Sequence, residues 1–299
     1  MLFAVYDSHG ASHLCDLTGL YAGCTAFLVG GAPSLKDHDL SILERRGVLT
    51  FAMNNAGALF RPTHMVCCDQ PRCFDLALIT DPTIMKFALA SHASRPIRDG
   101  SKLKMAALPG FYFYANKAEN RDSAYHFLRQ AHDWKRNTLF VGIDIMISLG
   151  IKRIILAGSD LGSAGSSERD YAYGSTLDKE EKLWNSILYK HEAYDLRKMQ
   201  SMFEEAGVEL LDASDHSKIT GDLGPYRKVT LEEGVDMCLS TYVERHDDPS
   251  TLPHCSRLYP KKDIDKIIQA RYSVVKDEQV LTDPSKVKLE AVPPGVPLI

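Results

Sequence analysis

The stretch Thr25 to Ser34, TAFLVGGAPS, decides the fold. TAFLVG is a short, unbroken apolar run of the kind a strand makes when both its faces are covered. It runs straight into two glycines and then Ala32-Pro33-Ser34. Glycine lets a backbone approach a ligand closely and take positive φ, and the first N–H groups of a helix complement a phosphate. The segment therefore reads as a buried strand entering a glycine-rich phosphate loop, with Ser34 as helix N-cap and added hydroxyl donor. The other reading is a tight turn with no ligand. There is no full G-x-G-x-x-G and no Gly-Lys-Ser/Thr, so neither a dinucleotide fingerprint nor a P-loop is present.

Working outward, short apolar runs alternate with helical patterns, the mark of an α/β fold with a mostly parallel sheet. Leu35 to Arg46 reads as a helix. VLTFAM (48–53) and HMVCCD (64–69) read as strands, and Arg72 to Ile79 as a short helix. Between 84 and 115, MKFALA and LKMAAL each fit a strand, and the aromatic GFYFYAN follows a Pro-Gly turn. Residues 119–133 read as helical. In 138–149, Leu139, Ile143, Met146 and Ile147 recur at helical spacing and Gly150 closes the helix. IKRIILAG (151–158) is a strand, 159–174 a long polar loop, 179–206 one long helix or two, VELLDA (208–213) the last strong strand, and Leu231 to Tyr242 a final helix. The expected fold is Rossmann-like α/β, with helices on both sheet faces. Its expected divisions are a lead-in over 1–24, a nucleotide-binding catalytic domain over 25–244, and a Pro-rich C-terminal extension over 245–299.

The bulk composition excludes several classes. The 299-residue chain is 44% hydrophobic and 25% charged, with a net charge of −4. It lacks the basic excess of a general nucleic-acid binder. Its apolar runs are too short to span a bilayer, and MLFAVYDSHG lacks the basic start of a signal peptide. Seven cysteines, an odd number in a chain of this size, argue for reduced thiols in a cytoplasmic protein. Cys67 and Cys68 are adjacent at a strand end, where neighbours point to opposite faces, so a shared metal is awkward.

Ligands of open α/β sheets bind outside the carboxyl ends of the strands. Four further segments fall at such ends. Asn54 and Asn55, in AMNNAG, carry amides that suit a base or ribose; a plain Asn turn is the alternative. Asp69, in CDQP, suits a sugar hydroxyl or Mg²⁺, or a helix cap. Ser159 and Asp160, in AGSDLG, precede a loop long enough to act as a binding loop, with Tyr171 and Tyr173 at its far side. His191, on the predicted long helix, has the titration range of a general base, as has His216 after the last strand. A lone helical histidine is more often a surface residue.

Together GGAPSL, the Asn pair and NTLFVGIDIMISLGIKRIILAGSDLG (137–162) resemble bacterial sialyltransferases of the Campylobacter lipooligosaccharide type. They also resemble the related family of motility accessory factor and archaeal 6-hydroxymethylpterin pyrophosphokinase. The resemblance runs as scattered motifs over about residues 25–220. It implies a glycosyltransferase of bacterial or phage type, taking a nucleotide-activated sugar, CMP-linked in the sialyltransferases, and no cofactor. Gly30, Gly31, Ala32, Pro33, Ser34, Asn54, Asn55, Asp69, Ser159 and Asp160 would hold the nucleotide. His191 would be the base, and Tyr171 or Tyr173 would steady the leaving phosphate. The acceptor would be a glycan or other hydroxyl, a modified DNA base included. The sequence departs from the donor loop at Gly31, where the sialyltransferases have Asn, and lacks their His-Ser pair at His191. The alternatives are a Mg-ATP-dependent pyrophosphokinase and a non-catalytic nucleotide- or glycan-binding protein. A homo-oligomer is compatible with either.

Overall fold

A computed structural model describes residues 2–6, 12–81, 83–108, 110–114, 137–161, 171–173 and 179–242. Its strands are β1 (Leu2–Tyr6), β2 (Ser12–Asp16), β3 (Thr25–Val29), β4 (Leu49–Met53), β5 (His64–Cys67), β6 (Met85–Leu89), β7 (Phe111–Tyr114), β8 (Arg153–Ala157), β9 (Glu209–Asp212) and β10 (Arg227–Lys228). Its α-helices are α1 (Leu76–Thr80), α2 (Thr138–Ser148), α3 (Lys179–Lys198), α4 (Gln200–Glu205) and α5 (Leu231–Ser240). The contacts divide the chain into two compact units where the sequence reads one domain over 25–244. Unit 1 takes the described residues of Met1–Leu17 and Thr63–Ala124, and unit 2 those of Thr18–Pro62 and Tyr125–Val243.

Unit 2 is an all-parallel sheet in the order β10-β9-β8-β3-β4. All five residues of β3 are buried, as a strand covered on both faces requires. Neighbouring residues of β3 identify the two covers. A Cβ on Gly142 of α2 would lie 2.9 Å from Leu28, and one on Gly234 of α5 would lie 2.5 Å from Phe27. Leu28 and Phe27 point to opposite faces, so α2 and α5 pack on opposite sides of the sheet. The α5 side holds a core of Phe27, Val29, Ile155, Ala157, Leu211 and Val235. Asn137 caps α2 by accepting from the Leu139 N–H at 2.8 Å, and Gly150 ends the helix with φ of 91°. A full capping box, Thr230 with Glu233, opens α5.

Unit 1 pairs β5, β6 and β7 in parallel and adds β1 and β2 antiparallel at one edge. Its core joins Met65, Cys67, Ala88, Phe111 and Phe113 to Leu76 and Ile79 of α1. Lys86 is buried there. Its ammonium donates to the carbonyls of Ile84, at 2.8 Å, and Asp81, which supplies the partners that a buried charge requires.

Several expectations change. The lead-in over 1–24 contains β1 and β2. The helix expected over Leu35 to Arg46 is two 3-10 turns, Pro33–Asp37 and Leu40–Glu44, separated by extended residues. Arg72 to Ile79 is a 3-10 turn followed by α1, and LKMAAL is a 3-10 turn at Met105–Ala107 where the sequence allows a strand. The expected helix over 119–133 and the extension over 245–299 lie outside the described residues. Both units are α/β, and the fold is Rossmann-like with mostly parallel strands. No described helix is long and apolar enough to cross a membrane.

Candidate functional site

The order β10-β9-β8-β3-β4 places the reversal of strand order between β3 and β8. That is where ligands bind in open parallel sheets. Gly30 to Ser34 leaves the carboxyl end of β3, and Ser159 and Asp160 leave that of β8. The two segments meet directly. The Ser34 hydroxyl donates to Asp160 Oδ1 at 2.8 Å. The N–H groups of Gly30 and Ala32 donate to Ala157 and Gly158 carbonyls at 2.8 and 3.0 Å.

These bonds correct the phosphate-loop expectation. The backbone of Gly30 and Ala32 extends the ladder to β8 and is not available to an anion. Ser34 is not an N-cap; Ala32 occupies that position and makes no side-chain cap bond. The N–H groups of Gly31 and Ser34 have no partner among the described residues. The two glycines answer to packing. A Cβ on Gly30 would stand 2.3 Å from the Gly158 carbonyl oxygen, and one on Gly31 would stand 2.7 Å from the Tyr173 ring.

Tyr171 and Tyr173 close over the same loop. Their rings stack at 5.0 Å and 9°, and the Ala172 N–H between them donates to the Gly31 carbonyl at 2.9 Å. The Tyr171 hydroxyl accepts from Asn185 of α3 at 3.2 Å. Burial, then Tyr171, Glu192 and Tyr173, raise the Tyr189 phenol well above its usual range.

Asn54 sits at the end of β4 with φ of 51°, a left-handed conformation that Asn tolerates. Its amide donates to Thr138 Oγ1, at the start of α2, at 3.4 Å. Asn55 follows it in the same 3-10 turn.

Three buried polar atoms of this group have no protein partner among the described residues: Asn54 Oδ1, Ser159 Oγ and Asp160 Oδ2. Buried polar atoms are nearly always satisfied. Two of these accept only, and the third is a hydroxyl. They match a ligand that offers hydrogen-bond donors, such as sugar hydroxyls. Burial raises the Asp160 pKa, against the Ser34 bond and the nearby His216, which lower it. Asp212, at the end of β9, is also raised by burial, and the Asp160 charge adds to this. Ser214 bridges the two strand ends: its hydroxyl accepts from the Ser159 N–H at 3.0 Å, and its N–H donates to Asp212 at 2.8 Å.

His191 is exposed on α3 and has no hydrogen-bond or ion-pair partner among the described residues. The sequence expects His191 to act as the base, and the structure sets it on the exposed side of α3. Its neighbour Glu192, about 100° further round the helix, is the buried one. Glu192 accepts from the Asn137 side-chain amide, and burial pushes its carboxyl up to about 7. Glu192, Asn137, Tyr189 and Asp212 carry no motif in the sequence. A polar residue at the end of an apolar strand is the one available signal, and it applies to Asp212.

Asp69 belongs to unit 1, at the carboxyl end of β5. Burial raises its pKa, and His92 lowers it. Beside it the Cys68 thiol and the Tyr114 hydroxyl lie 3.2 Å apart. None of the six described cysteines is in a disulfide. No group of three or more His, Cys, Asp or Glu suited to a metal occurs among the described residues.

No family model matches this chain, and comparison with curated proteins and with solved structures returns no match.

Proposed function

We propose that unit 2 binds a nucleotide-activated sugar and transfers the sugar to a hydroxyl acceptor. The observation that carries this reading is the set of unsatisfied buried atoms, Asn54 Oδ1, Ser159 Oγ and Asp160 Oδ2, at the reversal point of a parallel sheet. Acceptor atoms at that place suit the hydroxyls of a ribose or sugar. The N–H groups of Gly31 and Ser34, and the hydroxyls of Tyr171 and Tyr173, whose rings pack at Gly31, would supply donors to the phosphate. In the transfer, the bond from the sugar's anomeric carbon to the phosphate oxygen breaks and the acceptor oxygen takes its place. Donors aimed at the leaving phosphate stabilise the charge that develops there.

The acceptor proton needs a base. Glu192 replaces His191 in this reading, because it is buried against the tyrosine group and its carboxyl titrates near neutrality. The second reading is an ATP-dependent diphosphate transfer, in which Asp160, whose Oδ2 is buried without a partner among the described residues, would hold Mg²⁺.

The test is a thermal-shift series with CMP, UDP, GDP, ADP and ATP, with and without Mg²⁺. A nucleotide at 100 times its Kd adds about 2.7 kcal/mol of stability, and Asp160→Asn removes that shift while the unliganded fold persists. A shift confined to ATP with Mg²⁺ moves the assignment to the second reading. If no nucleotide shifts the melting point, both readings fail.

A further inference from the structure

The side of α3 that faces the rest of unit 2 carries a polar stripe. Asn185, Tyr189 and Glu192 stand at i, i+4 and i+7, on one face of the helix. Ala193 and Leu196, further along that side, are buried. A helix packed in a globular protein ordinarily turns apolar residues inward, so three polar side chains in this place call for a physical reason.

The stripe closes a belt of contacts from the loop after β3 to the turn after β4. The Ala172 N–H donates to the Gly31 carbonyl at 2.9 Å. Tyr171, the residue before it, accepts at its hydroxyl from Asn185 Nδ2 at 3.2 Å. The Tyr189 phenol is hydrogen-bonded to the same hydroxyl and lies within reach of the Glu192 charge. Glu192 accepts from Asn137. Thr138, which follows Asn137, accepts from the Asn54 amide at 3.4 Å.

The Tyr171 hydroxyl has one hydrogen and a limited capacity to accept. With its oxygen accepting from Asn185 and bonded to Tyr189, it is left to donate. No described residue takes that hydrogen. Hydrogen bonds in a chain polarise one another, so the donors on the Tyr171 oxygen strengthen the hydroxyl as a donor in turn. Tyr173 differs. Its ring stacks on that of Tyr171 at 5.0 Å and walls the loop at Gly31.

We infer that Asn185 is a positioning residue, which by donating to the Tyr171 oxygen aims the Tyr171 hydroxyl at an anionic oxygen of the ligand. Resting on the nucleotide reading above, that oxygen belongs to the phosphate, and Tyr171, not Tyr173, is the tyrosine that holds it.

The experiment uses calorimetry on the full chain with three pairs of probes: CMP and cytidine, UDP and uridine, ADP and adenosine. Within a pair, the ratio of the two Kd values isolates what the phosphate contributes. Asn185→Asp keeps the shape of the side chain and offers only acceptors, so it draws the Tyr171 hydrogen to itself and away from the ligand. It is expected to weaken nucleotide binding about tenfold or more, the worth of a hydrogen bond to a charged group. The nucleoside is expected to change less than about twofold. Asn185→Ala removes the donor without adding a charge and is expected to fall between the wild type and Asn185→Asp. A carboxylate that merely repelled the phosphate would act equally without the Tyr171 hydroxyl. In a Tyr171→Phe background, Asn185→Asp is instead expected to cost less than about twofold, because the two changes remove one and the same contact.

The inference is overturned if Asn185→Asp weakens nucleoside and nucleotide alike, which is the mark of a structural role. It is equally overturned if the ratio does not move, or if the loss persists in the Tyr171→Phe background. Should Asn185→Asp not fold, Asn185→Ala decides, and an unchanged ratio there overturns the inference as well. If none of the nucleotides binds, the nucleotide reading fails and takes this inference with it. If they bind and the ratio holds, this inference alone fails.

Discussion

The Ser34 hydroxyl donates to Asp160 Oδ1 at 2.8 Å, a contact between residues 126 apart in the chain. It ties the turn after β3 to the turn after β8, at the place where strand order reverses. The bond is buried and its acceptor is a carboxylate, so its loss leaves Asp160 with neither oxygen satisfied among the described residues. Ser34→Ala is expected to destabilise the fold by about 1.5–3 kcal/mol, the range for hydrogen bonds to charged groups. Urea unfolding measures this. A cost below about 0.5 kcal/mol would mean that water replaces the hydroxyl without loss.

The glycine pair supplies a graded prediction. Gly30→Ala drives a Cβ toward a backbone oxygen that cannot rotate away, whereas Gly31→Ala meets the edge of a Tyr173 ring. Both overpack the loop, and overpacking costs about 1–3 kcal/mol. Gly30→Ala is expected at or above the top of that range and Gly31→Ala near the bottom. Melting temperatures in the reverse order would show that the Tyr171–Tyr173 stack, not the β8 backbone, is the less yielding wall.

This packing also marks the limit of what TAFLVGGAPS makes legible. Thr25 and the four apolar residues after it can be buried together in a strand covered on both faces, so β3 follows from composition. The destination of the loop's N–H groups does not, because it depends on β8, more than a hundred residues away. α2 is readable because Leu139, Ile143 and Met146 lie on one stripe and Gly150 ends it. α3 is readable as a helix but not in its rotation. Its hydrophobic pattern is carried by Leu183, Trp184, Ile187 and Leu188, which face out, while Glu192 faces in. An apolar-in rule applied to α3 therefore selects the wrong face, and His191 with it. β2 escapes a sequence reading because SHLCD shows no apolar alternation and its side chains are largely exposed.

Asp144, on the buried side of α2, has an Oδ2 with no partner among the described residues, and burial pushes its carboxyl up to about 8. The unfolded chain releases this proton near the ordinary aspartate value of 3.8. Between the two values the folded state holds a proton that the unfolded state has lost, so stability falls as pH rises. The favourable state is complete below about pH 4 and is lost by the time pH passes 8. Asp144→Asn is expected to flatten this decline and to exceed the wild type by a few kcal/mol at about pH 9, because each tenfold difference in proton affinity is worth roughly 1.4 kcal/mol. Chemical denaturation from about pH 4 to about pH 9 tests it. A wild-type curve that rises across the window contradicts the sign.

Glu192 and His191 are adjacent in sequence and on different faces of α3, which makes the base assignment separable by mutation. Glu192 accepts a hydrogen bond from Asn137, the residue that also caps α2, and its carboxyl is pushed up to about 7. With a donor identified by the nucleotide screen, kcat/KM is expected to rise with pH on a limb of apparent pKa about 7, as Glu192 loses its proton. Glu192→Gln keeps an oxygen for Asn137 and cannot accept a proton. It is expected to lower kcat about 100-fold or more and to abolish the limb, with the nucleotide thermal shift unchanged. His191→Gln is expected to leave both rate and limb in place. If His191→Gln removes the limb and Glu192→Gln does not, α3 turns its histidine toward the substrate during turnover, and Glu192 serves only to hold Asn137 at the start of α2.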